Sequence, residues 1–207
     1  MTAHRSSTRR RIAAAAATVT AAVVLTACGG DDGAAGHGGH EKSKKPGASA
    51  SKGDHNAADV SFAQGMIPHH RQAVEMADLA ASRAGSPEVE KLSEDIEKAQ
   101  GPEIEKMSGW LKSWGEEVPE EMPGMDHSQH GMPGMMSPGD MKKLKKASGK
   151  EFDTAFLKMM IEHHEGAVSM AATEKSKGSY EPAKDMAQDI STSQTAEIKQ
   201  MDKLLGK

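Results

Sequence analysis

Two short stretches of this chain carry the side chains best suited to chemistry. Met66-Ile67-Pro68-His69-His70 and Met160-Ile161-Glu162-His163-His164 each set a thioether one helical turn ahead of two adjacent imidazoles. In di-iron bundles the inward motif is Glu-x-x-His on two helices, with one glutamate from each of the other two. Here the lone glutamates are present as Glu103 and Glu197, but methionine stands where the hard carboxylate would be. Thioether and imidazole suit Cu(I), whereas a ferric centre wants oxygen ligands. Methionine also binds without losing a proton, and it survives where a thiolate would oxidise. The candidate bundle ligands are therefore His69, His70, His163, His164, Met66 and Met160, with Glu103 and Glu197 orienting the imidazoles or binding directly.

A separate stretch makes the same point independently. Glu121-Met122-Pro-Gly-Met125-Asp126-His127-Ser-Gln-His130-Gly-Met132-Pro-Gly-Met135-Met136 repeats Met-Pro-Gly-Met around His-x-x-His. Proline and glycine keep such a stretch out of a regular core, so its five thioethers are expected to be exposed. Met122, Met125, His127, His130, Met132, Met135 and Met136 thus read as a flexible capture loop for Cu(I) or Ag(I).

The elements that must hold these residues come from a duplication. Asp59, Phe62, Met66, His69, His70, Ala73 and Met76 return as Asp153, Phe156, Met160, His163, His164, Ala167 and Met170. Farther on, Asp95, Ile96, Gln100, Glu103, Met107 and Leu111 return as Asp189, Ile190, Gln194, Glu197, Met201 and Leu205. Apolar residues at helical period run from Asp59 to Ala84, where Gly85 stops the helix. Ser86-Pro87 opens a second helix with Val89, Leu92, Ile96, Ala99, Met107, Trp110 and Trp114 on one face. Ser148-Gly-Lys-Glu151 reads as a capping box for the third, Gly178 and Ser179 mark a turn, and the fourth runs to about Leu205. The expected fold is all-α: an antiparallel four-helix bundle of two repeated hairpins, 58–114 and 140–207, joined by the Met/His-rich loop 115–139.

At 100° per residue both histidines of each pair fall within the apolar stripe and face inward. Folding each hairpin on its turn brings Glu103 level with His69, and Glu197 level with His163. Pro68 inside the first helix predicts a kink beside His69 instead of a helix end. Met76, Met170 and Met186 read as core filler.

The N-terminus has Arg5, Arg9, Arg10 and Arg11, an apolar run from Ile12 to Leu25, then Leu25-Thr26-Ala27-Cys28. This reads as a secretory signal over 1–27. The apolar run is short for a membrane span, and the small residues before the single cysteine resemble a lipobox, with Cys28 as the lipidated mature terminus. Residues 28–57 then form a flexible tether in which His37, His40 and His55 act as solvated spacers. With no second cysteine there is no disulfide, so the fold holds by packing or by metal. Of the 26 basic side chains four lie in the leader, so the rest of the chain sets 22 against 30 acidic ones, a formal charge of −8. That excludes nucleic acid as a partner and is compatible with a cation.

The paired segment of aspartate, phenylalanine, methionine, adjacent histidines, alanine and methionine resembles the domain of unknown function 305 family. The resemblance covers nearly everything after the tether except the methionine loop, and Pro68 departs from the acidic residue at the matching place, Glu162. It implies a ferritin-like four-helix bundle, and, since some extracytoplasmic members bind copper and support copper resistance, it implies the same here. The expectation is a lipid-anchored, extracytoplasmic copper protein that sequesters Cu(I) or passes it to a copper-exchange protein. Two other readings stand beside it: a ferritin-like metal-dependent oxidase, against which the absence of Glu-x-x-His argues, and an envelope module whose His and Glu layer is purely structural.

Overall fold

The computed structural model of the protein describes residues 55–120 and 132–207. Six helices follow in order: α1 (Ala57–Asp78), α2 (Ala80–Arg83), α3 (Pro87–Trp114), α4 (Pro138–Leu144), α5 (Gly149–Lys177) and α6 (Glu181–Leu204). Among the described residues there is no strand beyond one isolated bridge, between Ala84 and Gly149. The first hairpin is α1 with α2 and α3, the second is α5 with α6, and α1 packs on α5 to join them. Four long helices thus make the expected bundle.

The ends of α1 and α5 show how the hairpins are arranged. At one end Asn56 donates its amide to Lys177 O (2.9 Å) and Ser179 Oγ (2.6 Å), so the start of α1 meets the finish of α5. At the other end Gly85 N–H donates to Asp153 Oδ1 (2.8 Å), so the finish of the first helix meets the start of α5. Hence α1 and α5 are antiparallel, α3 and α5 are parallel, and the segment joining them must travel the length of the bundle, as the single long crossover does in ferritin-like folds.

The described parts of that crossover are pinned to α1 and α2. Gln64 donates to Glu117 O (3.0 Å) and Arg71 to Pro119 O (2.6 Å). Further on, Gln72 clamps the Met136 backbone with two bonds, Nε2–H to Met136 O (3.0 Å) and Met136 N–H to Oε1 (2.7 Å). Lys145 then pairs with Glu75 (2.6 Å), and Arg83 reaches Ala147 O (3.4 Å). The short helix α4, capped by Ser137 and opened by Pro138, belongs to this crossover and was not legible from helical periodicity.

Several local expectations are corrected. The first helix is interrupted at Leu79, leaving α2 as a separate turn. Helix α1 does run through Pro68 without ending there. Ser148 occupies the N-cap of α5 but makes no side-chain cap bond, so the predicted capping box is not formed. The real one is at α1, where Asn56 accepts from Ala58 N and Asp59 N while Asp59 accepts from Asn56 N.

Ala99 is exposed, and it is the neighbouring Gln100 that turns inward. The buried apolar residues form two clusters. One centres on Phe152, Phe156, Leu157 and Met160 with Val89, Leu92 and Ile96; the other gathers Phe62, Met66 and Ile67 with Met107, Trp110, Leu111 and Ile190. Each large side chain so buried contributes about 1.5–3 kcal/mol of transfer free energy, before the ordering entropy that offsets it.

Candidate metal centre

The four histidines are all buried, none more than 1% exposed. Adjacent positions on a helix point 100° apart, so the two rings of each pair serve different neighbours. The leading ring of each pair reaches across to the other hairpin: His69 and His163 lie with ring centroids 3.7 Å apart at an interplanar angle of 41°. The trailing ring turns toward the partner helix of its own hairpin. His70 Nε2 meets Glu103 Oε2 at 2.8 Å, and His164 Nε2 meets Glu197 Oε2 at 2.6 Å. This corrects the expected pairing of the glutamates with His69 and His163, because that reading matched axial level and not angular position.

The hydrogen bonds fix which ring nitrogens are free. Carboxylates only accept, so Nε2 of His70 and of His164 carries the proton and Nδ1 presents its lone pair. His69 Nε2 likewise donates to Pro133 O (3.1 Å), which leaves its Nδ1 bare. Nδ1 of all four histidines and Nε2 of His163 are buried without a hydrogen-bond partner. Each such orphan costs on the order of 1–3 kcal/mol unless something binds it.

At His69 and His163 the surroundings favour the neutral ring. Burial, with the neighbouring His70 adding to it, holds the His69 pKa down to about 3. His163 is pushed well below the ordinary imidazole range, again chiefly by burial. Neutral imidazole is the metal-binding form.

Among the described residues no three His, Cys, Asp or Glu side chains converge closely enough to hold an ion by themselves. Met66 and Met160 are both fully buried, one turn from His69 and His163, and they belong to different apolar clusters. Glu103 and Glu197 keep 24% and 20% of their side chains exposed, so they link the layer to solvent.

The crossover residues divide. Met136 is buried in the cluster around Phe156, and Met132 and Met135 are half-buried, so the expectation of exposed thioethers fails for this part of the loop. The reason is the length of the crossover, which forces the segment across the bundle instead of around its end. Met122, Met125, His127, His130, Cys28, His37 and His40 lie outside the described residues. His55, read as a solvated spacer, stacks on Trp114 with centroids 4.4 Å apart.

Some positions escaped the sequence reading. Gly166 gives way to the crossover: a Cβ there would lie 2.1 Å from Pro133 O. Gln72, its counterpart in the first copy, is the clamp on Met136. The available signal was disagreement between the copies at matched places.

A parallel-crossover bundle with a buried layer of paired histidines defines an all-α, ferritin-like domain. The chain belongs to the family of the domain of unknown function DUF305, whose sequence profile matches residues 59–205. It is similar to a DUF305 protein of Streptomyces coelicolor described as secreted, with 36% identity and TM-score 0.65, covering 72% of this chain and 91% of that one. A DUF305 fragment from Deinococcus radiodurans is 28% identical with TM-score 0.65, covering 73% and 97%. CopM in its Cu(I)-bound form is 35% identical with TM-score 0.58, covering 70% and 94%, and CopM has also been solved bound to Cu(II) and to Ag. No curated protein sequence matches the chain.

Proposed function

We propose that this protein is an extracytoplasmic copper-binding protein, tethered to the membrane through Cys28, that sequesters Cu(I) or hands it to an exchange partner. The observation that carries the reading is the set of five orphaned ring nitrogens on four buried imidazoles beside two buried thioethers. His69, His70, His163 and His164 supply nitrogen and Met66 and Met160 supply sulfur, while Glu103 and Glu197 hold His70 and His164 by Nε2 and leave Nδ1 unpartnered. The metal is cargo, and Ag(I) shares its donor preference. The copper- and silver-bound forms of CopM support the choice of ion, and the secreted relative supports the compartment. Met122, Met125, His127, His130, Met132, Met135 and Met136 are assigned to capture.

Competition titration of the full chain with Cu(I), beside a variant with His69, His70, His163 and His164 all changed to alanine, tests the reading. Loss of tight binding in a variant that keeps its helical circular dichroism is expected; unchanged stoichiometry and affinity would reject the histidine site.

A structural role is the alternative reading, and the two His–Glu bonds favour it, because each ties α1 to α3 or α5 to α6. Thermal unfolding with and without Cu(I) separates the two, since an ion that binds only the folded chain raises its stability.

A further inference from the structure

Gly65 sits on α1 one turn ahead of His69, and the space where its side chain would be is occupied by sulfur. A Cβ built there would lie 3.7 Å from Met170 Sδ and 3.8 Å from Met132 Sδ, with no other heavy atom of a neighbouring element within 4 Å. The two thioethers come from unrelated parts of the chain, α5 and the crossover, and both side chains are half-buried. Their position is imposed. Gly134, at φ 78°, and Gly166 bring the crossover backbone against α5, and Gln72 locks Met136. Met132 is also next to Pro133, whose carbonyl holds His69 Nε2.

The other copy has nothing comparable. Met159 stands where Gly65 stands in the first, and Met76, the counterpart of Met170, is fully buried in an apolar cluster. The convergence is thus specific to the side of the bundle along which the crossover passes.

We propose that Met132 and Met170, meeting over Gly65, form a second soft-metal site, a loading station that takes Cu(I) or Ag(I) before it reaches His69. Two thioethers favour a soft monovalent ion over hard ones. The onward step rests on the histidine reading given above; binding at the sulfur pair does not. An ion leaving Met132 passes to His69 Nε2 when the Pro133 carbonyl releases it and the ring proton moves to the unpartnered Nδ1.

The test is an Ag(I) titration of the full chain followed by NMR of 13C-methyl methionine and of the histidine rings. The Met132 and Met170 methyls are expected to shift together in the first part of the titration. Methyls that stay still while the imidazoles respond would overturn the station and leave the histidine site standing. Shifting methyls beside unresponsive imidazoles would support the station and remove the histidine site. A variant carrying Met132→Leu and Met170→Leu conserves volume, so it is expected to fold and to lose Ag(I) at this station. Unchanged Ag(I) stoichiometry in that variant would also overturn the proposal. Gly65→Ala adds a methyl in ordinary contact with both sulfurs and favours the helix. It is expected to stabilise the fold while weakening Ag(I) binding, whereas stability gained with Ag(I) binding intact would show packing alone.

Discussion

The two hairpins carry matching residues, yet they meet different neighbours. Where the copies agree, at Asp59 and Asp153, His70 and His164, Glu103 and Glu197, the structure repeats a contact. Each His–Glu bond recurs, and each aspartate accepts from the turn of the opposite hairpin. Where they disagree, something asymmetric touches the bundle. Gly65 against Met159, and Gln72 against Gly166, mark the bed of the crossover.

Ala80 against Glu174 marks a difference between the joints. Asp59 accepts from Ser179 N (3.1 Å) and Tyr180 N (3.0 Å) and also faces Glu174, which is only 1% exposed. Both carboxyls crowd Gly178, where a Cβ would lie 2.2 Å from Glu174 Oε1 and 2.8 Å from Asp59 Oδ1. The lesson is that symmetric positions build the layer and asymmetric ones shape what packs against it.

The largest expected effect compares the two clusters. Phe156 is fully buried and stacks on Phe152 at 5.7 Å, whereas Phe62 is 5% exposed. Phe156→Ala should cost about 3–5 kcal/mol by urea unfolding, and Phe62→Ala less, because water relieves part of its cavity. Equal losses would show that the clusters are equivalent.

The joints differ next in their response to pH. Burial first, and then the Asp59 carboxylate, raise the Glu174 pKa to about 8, against a smaller pull from Lys184. The folded chain therefore holds a proton that the unfolded chain gives up near pH 4.5. Stability falls as pH rises from there through about 8, by at most about 1.4 kcal/mol per pH unit. Asp59 is lowered despite its burial, by hydrogen bonds from Glu174 and the backbone, so its own contribution is lost only as pH falls below the ordinary carboxylate range. Melts of the wild type and of Glu174→Gln across this range check the assignment: the variant should lose the alkaline fall, and a wild-type slope retained in it would place the proton elsewhere.

Gly166→Ala probes the crossover bed. Its methyl would overlap a backbone carbonyl, so despite the helix-favouring change it should destabilise by about 1–3 kcal/mol, read by chemical denaturation. A neutral or stabilising result would mean that the crossover lifts at no cost.

The smallest contrast is between the helix starts. Asn56→Ala removes a working cap and should cost about 0.5–2 kcal/mol, whereas Ser148→Ala removes no bond and should change stability by less than about 0.5 kcal/mol.

Much of this was legible in the chain itself. Helical period and repetition announced four long helices and inward histidines, since a buried face must recur every 3.6 residues whatever its neighbours are. The same patterns missed α4, whose seven residues are too few for a period to show. They also gave Ser148 a cap bond it does not make, because a cap depends on backbone approach as well as on residue type.

Local chemistry determined that this protein has a duplicated helical core, a soft donor set and an inward layer of imidazoles, because each follows from residue type and spacing along one helix. Which glutamate meets which histidine, that His69 and His163 face each other, and that Met132 arrives over Gly65 beside Met170 were decided only by tertiary structure. Those contacts join segments far apart in the chain, and their geometry depends on the antiparallel docking of α1 on α5 and on the path of the crossover. Neither leaves a periodic trace in the sequence.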